Sequence, residues 1–204
     1  MKNKIILIIV CIFCIQIKHA VAQNSYSKSI LTYQQEYVQN HEVVLGKDKQ
    51  YFAFFKPNIH FKIKATAVKV NDSIGFIMKT SGTKSKKFYR YAELHFKIDA
   101  KQQKLIIYSS SLITDSSQIG AYLFLPFTDN TSGIESYGGG RYLDFKVKDI
   151  QNHSLIIDFN KAYNPYCVYA TGYNCPIPLR ENHLNINITA GEKMFKGKKK
   201  ERVP

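Results

Sequence analysis

The chain has 204 residues, with 29 Lys and Arg against 15 Asp and Glu, a formal net charge of +14 and four cysteines. A hydrophobic share of 45% excludes a disordered chain, and the length calls for no second domain. The scattered histidines form no H-x-x-x-H or H-E-x-x-H pair, which argues against a histidine-based zinc enzyme.

Residues 1–22 have the three-part layout of an export signal: Lys2 and Lys4, an apolar run from Ile5 to Ile17, and Ala20-Val21-Ala22 as an A-x-A cleavage site. The run, at about 13 residues, is short for a bilayer span. The expectation is therefore an exported protein, periplasmic or extracellular, with 1–22 as signal peptide, 23–193 as a single β-rich domain and 194–204 as a basic tail. The signal takes three basic residues and no acidic one, so +14 falls to +11. That surplus favours a membrane surface or cell-envelope polyanion reached through the tail, not nucleic acid. Lys196, Lys198, Lys199, Lys200 and Arg202 also read simply as a solvated end.

In chain order, Ser27 to His41 places apolar and aromatic groups at helical spacing, with Ser27 as N-cap. Tyr51 to Phe55 is too short for a buried helix and packs in extended or turn form. From Ile59 the alternation is that of a half-buried strand, with Ile59, Phe61, Ile63 and Ala65 on one side. Further strands are expected over Ile74–Met78, Tyr89–Ile98, Leu105–Leu112, Tyr122–Phe127, Tyr142–Val147 and Leu155–Ile157, with turn signals between them. The fold class is mainly β (α+β): an antiparallel meander forming a barrel or sandwich, with one N-terminal helix.

The candidate site lies between Leu125 and Asn182. Gly138, Gly139 and Gly140 cost entropy to order, so either positive φ or a ligand against bare backbone is needed there. Such a loop can form an anion-binding nest, and Arg141 beside it can clamp a carboxylate or phosphate. A strand follows instead of a helix, which departs from both nucleotide-binding patterns. The bland alternative pairs Arg141 internally with Asp129, Asp144 or Asp158. Asp158 and Asn160 are two residues apart at the end of an apolar strand and share a face. Asn164-Pro165 opens a turn. Cys167 and Cys175 match neither redox nor zinc-ribbon spacing. In an oxidising compartment they are expected to form a disulfide worth roughly 2.5 kcal/mol, with free thiols or half a metal site as alternatives.

YGGGRYLDF, IIDFNKAYNPYCVYATGYNCPIPLREN and ITAGEK resemble the signature of domain-of-unknown-function family 1684, a bacterial family. The likeness is close over about residues 120–193. It implies no established reaction, cofactor or substrate, and the matching positions include Gly138, Gly140, Arg141, Asp144, Asp158, Asn160, Asn164, Cys167, Cys175, Asn182 and Glu192. Tyr166 stands where many relatives have a second proline.

Three functions compete. The first is a binding or structural module of the cell envelope, in which Arg141 and the glycine loop receive a small acidic or polyhydroxy ligand oriented by Asp158, Asn160 and Asn182, with Asp144 and Asn164 nearby. The second is a hydrolase with Asp158 as base, Asp144 or Asp129 as partner and Arg141 as stabiliser. The third, calcium on Asp129, Asp158 and Asn160, lacks a D-x-D-x-D-G loop. No cofactor and no resident metal are expected.

Overall fold

The computed structural model describes residues 22–114 and 118–201, so residues 1–21 of the expected export signal lie outside the described residues. Helix α1 covers residues 22–39 and starts earlier than the expected Ser27 cap. Ser27 instead accepts a hydrogen bond from the Gln23 side chain one turn back. Tyr26, Ile30 and Gln34, four apart, form its buried stripe.

Eight strands follow: β1 Lys62–Lys69, β2 Phe76–Met78, β3 Lys86–Ile98, β4 Lys101–Ser109, β5 Tyr122–Asp129, β6 Arg141–Lys146, β7 Ser154–Asp158 and β8 His183–Leu184. The main path is antiparallel in the order β6-β5-β4-β3-β1-β7, with β2 added to β3 and β8 parallel to β5. The sheet curls into a half-barrel whose edge strands are β6 and β7. Ile59–Phe61, expected as strand, is a 3-10 turn because the Asn58 side chain caps the His60 amide.

The sheet buries both faces. Leu105 and Ile107 join the inner core with Leu94, Leu123, Leu125 and Ile157, while Ile106 and Tyr108 join an outer cluster with Met78, Phe88, Phe124 and Tyr142. On β3 the pairing with β4 shifts between Arg90 and Ala92. One extra residue reverses every side chain beyond it, so even-numbered Phe88 faces outward while even-numbered Ala92, Leu94 and Phe96 face inward. Without that bulge Phe88 would leave the outer face.

β4 and β5 pair at Tyr108 with Phe124 and at Ser109 with Leu123, and then diverge. Asn182 fills the split. Its Oδ1 accepts from the Ile106 amide (2.7 Å), and its Nδ2 donates to the carbonyls of Ile106 (2.8 Å) and Pro126 (2.7 Å). One side-chain amide thus replaces a missing rung of the ladder. Asn182→Ala is expected to cost about 3 kcal/mol in urea denaturation, since it strands buried backbone groups. Asn182→Asp should fare no better, because a carboxylate cannot donate to either carbonyl.

The basic tail is not a free end through residue 201. Met194 and Lys196 amides donate to the Glu135 and Tyr51 carbonyls, Phe195 packs edge-on against Tyr169, and Lys200 bridges to Ala170. Backbone pairing holds this segment down while most of its lysines stay exposed.

Candidate functional site

Arg141 is 0% exposed, which corrects its expected role as a ligand clamp. It opens β6 opposite Phe127 on the inward-facing side. Nη2 donates to Asp129 Oδ2 (2.8 Å) and the Ile188 carbonyl (2.9 Å), and Nη1 to the carbonyls of Ala190 and Glu192. The chain passes the guanidinium and bends at Gly191, whose φ is +79°, so one planar group serves three carbonyls of this short return segment. Phe55 and Phe127 pack against its faces. Asp129 is likewise occupied, its Oδ1 accepting from the Thr131 and Ile188 amides. Neither residue can meet a ligand without leaving the core.

The glycine loop supports this scaffold. Gly140 has φ of +88°, and a Cβ there would lie 2.6 Å from the Phe127 carbonyl oxygen and from Pro178. Gly138 lies against Gly133, and a Cβ at Gly139 would meet the Tyr137 ring. The backbone is bare because protein presses on it, not because a ligand does.

Asp158 and Asn160 do come together. Asp158 Oδ1 accepts from the Tyr26 hydroxyl (2.7 Å), the Asn160 amide and Asn160 Nδ2 (both 3.1 Å), and Asn160 also bonds both backbone groups of Asn58. The pair thereby fastens α1 and the entry to β1 onto the end of β7. Asn164 donates to the Lys193 carbonyl and, through its amide, to Glu192. Glu192 is fully buried, with hydrogen bonds from Tyr169 (2.7 and 2.9 Å) and Tyr37 (3.3 Å). Burial raises its carboxyl to about 7. Among the described residues no three His, Cys, Asp or Glu gather in a metal-holding group, and Asp129 is committed to Arg141 rather than to a calcium site with Asp158.

Cys167 and Cys175 carry free thiols in this structure, where a disulfide was expected. The 3-10 turn Tyr166–Val168 nonetheless sets them side by side, with the Cys167 amide donating to Cys175 Sγ at 3.3 Å. The hydrogen bond between the two thiols lowers Cys167 to about 6 and, together with burial, raises Cys175, against the pull of the Cys167 amide. Both are buried, and Cys175 borders the cleft described next.

The open chemistry lies on the outer face. A cavity of about 830 Å³ is walled by Tyr33 and Tyr37 of α1, Tyr122, Tyr142, Tyr163, Tyr166 and Tyr173, with Phe88 and Phe124. Asp144, facing Phe124 across β5 and β6, supplies its carboxylate. Tyr122 is the diagonal cross-strand neighbour, and its hydroxyl donates to Asp144 Oδ1. Tyr163, bridged to Tyr142, donates to Oδ2 at 2.7 Å. Asp144 is open to the cavity yet ringed by aromatic side chains, and this enclosure raises its carboxyl above the ordinary range while the two hydroxyls oppose the shift. Of the nine residues proposed from sequence, Asp144 alone lines this cavity. The clue available in the sequence was the tyrosine content, 14 residues with no tryptophan, yet their convergence needs the third dimension.

A family model described as protein of unknown function, DUF1684, matches residues 50–193. The chain belongs to this family. The eight strands among the described residues of this DUF1684 protein fall within the matched span, whereas the α1 wall of the cleft, with Tyr33 and Tyr37, lies before it. Among solved structures, the chain is similar to the solution NMR structure of an uncharacterized protein from Haloarcula marismortui. Identity is 25% and TM-score 0.61, over 84% of this chain and 96% of that one. No curated protein matches the sequence.

Proposed function

We propose that this DUF1684 protein is a binding module whose tyrosine-lined cleft receives a polyhydroxy ligand, a saccharide in chemical class. The supporting observation is Asp144, held by two tyrosine hydroxyls on the wall of an open aromatic cavity. Aromatic faces pack on the C–H surfaces of a sugar ring, and a carboxylate with spare lone pairs accepts from its hydroxyls. The N-terminal pattern supports export, which sets the ligand in the cell envelope or outside it, where the adjacent thiols would close into a disulfide.

The test is titration calorimetry of the purified protein against a panel of mono- and oligosaccharides. Asp144→Asn should weaken any binder about tenfold to a hundredfold, the cost of a charge-assisted hydrogen bond, without lowering the thermal midpoint by more than a few degrees. Absence of binding across the panel, or indifference to the substitution, would remove the reading. A hydrolase is the second reading, favoured by the raised Asp144 carboxyl and by Asp158 bordering the adjoining cavity. It requires release of new reducing ends that Asp144→Asn abolishes.

A further inference from the structure

A second cavity, of about 740 Å³, lies between the two edge strands of the half-barrel. Leu143, Asp144 and Phe145 of β6 form one wall, and Leu155, Ile156 and Asp158 of β7 the other. It shares Tyr33, Asp144 and Tyr163 with the tyrosine cleft. None of these three is buried, so the saddle between the cavities is open to a ligand lying across it.

The second cavity is polar in a different way. Tyr142 exchanges both backbone hydrogen bonds with Tyr163, on the side away from β5. Two residues on, the amide and carbonyl of Asp144 point the same way, and the Lys146 amide on that side donates to Asp149. Ser154 exchanges bonds with Gln151, so Ile156 likewise turns its backbone groups from β1 towards the gap. Both edges thus offer donors and acceptors to hydroxyl groups.

Charge is distributed along this groove. Lys84 and Lys86 border the tyrosine cleft, and Lys62 and Lys161 border the second cavity. None of the four is ion-paired among the described residues. Lys62 lies over the Tyr26 ring and Lys161 over that of Tyr33. The carboxylates beside them are engaged, Asp158 by Tyr26 and Asn160, and Asp149 by the Lys146 amide. Those donors are neutral and leave both carboxylates charged, so positive charge dominates at the cleft end, with Lys84 and Lys86, while Lys62 and Lys161 stand among Asp149 and Asp158, with Asp144 between the two ends.

Resting on the saccharide reading above, we infer that the groove takes a linear acidic saccharide of several units, laid across both cavities with an acid group against Lys84 and Lys86, a neutral ring over Asp144 and hydroxyls along the strand edges of the second cavity. Occupying both cavities makes contact with the second effectively intramolecular once the first is filled, so affinity must grow with chain length.

Binding of the purified protein to linear saccharides of increasing length, neutral and uronate-bearing, decides the matter. Affinity for the uronate-bearing series should rise at least about tenfold from one unit to the length that fills both cavities, and fall as salt is added. The Lys84→Ala, Lys86→Ala double variant should abolish the advantage of the uronate-bearing series over the neutral one while the gain with chain length remains. Binding that ignores length or charge would overturn this inference and leave the saccharide reading standing. Binding of no saccharide at all would overturn both.

Discussion

Arg141→Met should destabilise the protein by about 3–5 kcal/mol, the usual consequence of removing one partner from a buried ion pair. The substitution leaves Asp129 charged and fully enclosed, and withdraws donors from the carbonyls of Ile188, Ala190 and Glu192 at once. Against a total stability of about 5–15 kcal/mol for an ordinary domain, a large unfolded fraction follows. Removing both charges, in Arg141→Met with Asp129→Leu, should be milder than the sum of the single changes, because no unpaired charge is left in the core. Urea denaturation of the three variants measures this. A single variant within about 1 kcal/mol of the parent would mean that the buried network carries little of the fold. The sequence reading of a ligand clamp requires the opposite result, with folding intact and binding lost.

Glu192→Gln should alter the pH dependence of stability by about 3 kcal/mol. The Glu192 carboxyl has an ordinary value of 4.5 and is raised by burial to about 7 in the fold. Between those values the folded chain holds a proton that the unfolded chain has released. The stabilisation is therefore fully present below about pH 4.5 and is lost as pH rises through 7. His41 acts the other way over an overlapping range. Burial and, secondarily, Lys49 lower it to about 4 from 6.5, so its unfolded form binds the extra proton and stability rises across that interval. The two largely offset each other in the parent. With glutamine at 192, whose amide can meet Tyr169 and the Asn164 amide without a charge, only the rise remains. The informative quantity is thus the difference between variant and parent, which should grow in the variant's favour from pH 4.5 to above 7. A constant difference over that range would show that Glu192 holds its proton no more tightly folded than unfolded.

Much of the fold could be read from one-dimensional pattern. Clean alternation in Tyr89–Ile98 marks a strand because side chains on a pleated backbone repeat every second residue, Tyr122–Phe127 reads as one through its short apolar run, and the helix announces itself through a four-residue stripe. The bulge in β3 was not legible, since one added residue leaves the apolar pattern on either side intact and changes only which face it occupies. Arg141, Asp158, Asn160, Asn164 and Asn182 were legible as special but not as buried. A glycine run beside an arginine has the same composition whether a ligand or the protein's own carbonyls fill the space, and only the return of residues 188–192 distinguishes the two.

Length, charge and periodicity alone determined a β-rich chain with one amphipathic helix and a glycine-arginine segment under constraint, because these depend on neighbours along the backbone. The tertiary structure decided that Arg141 belongs to the core and Asp144 to an open cleft, although they stand three residues apart on one strand. Alternation sends the first inward and the second outward, and what waits on each side comes from chain far away in sequence. Tyr33, Tyr122 and Tyr163 meet around Asp144 only when a helix, a central strand and a late turn are folded together.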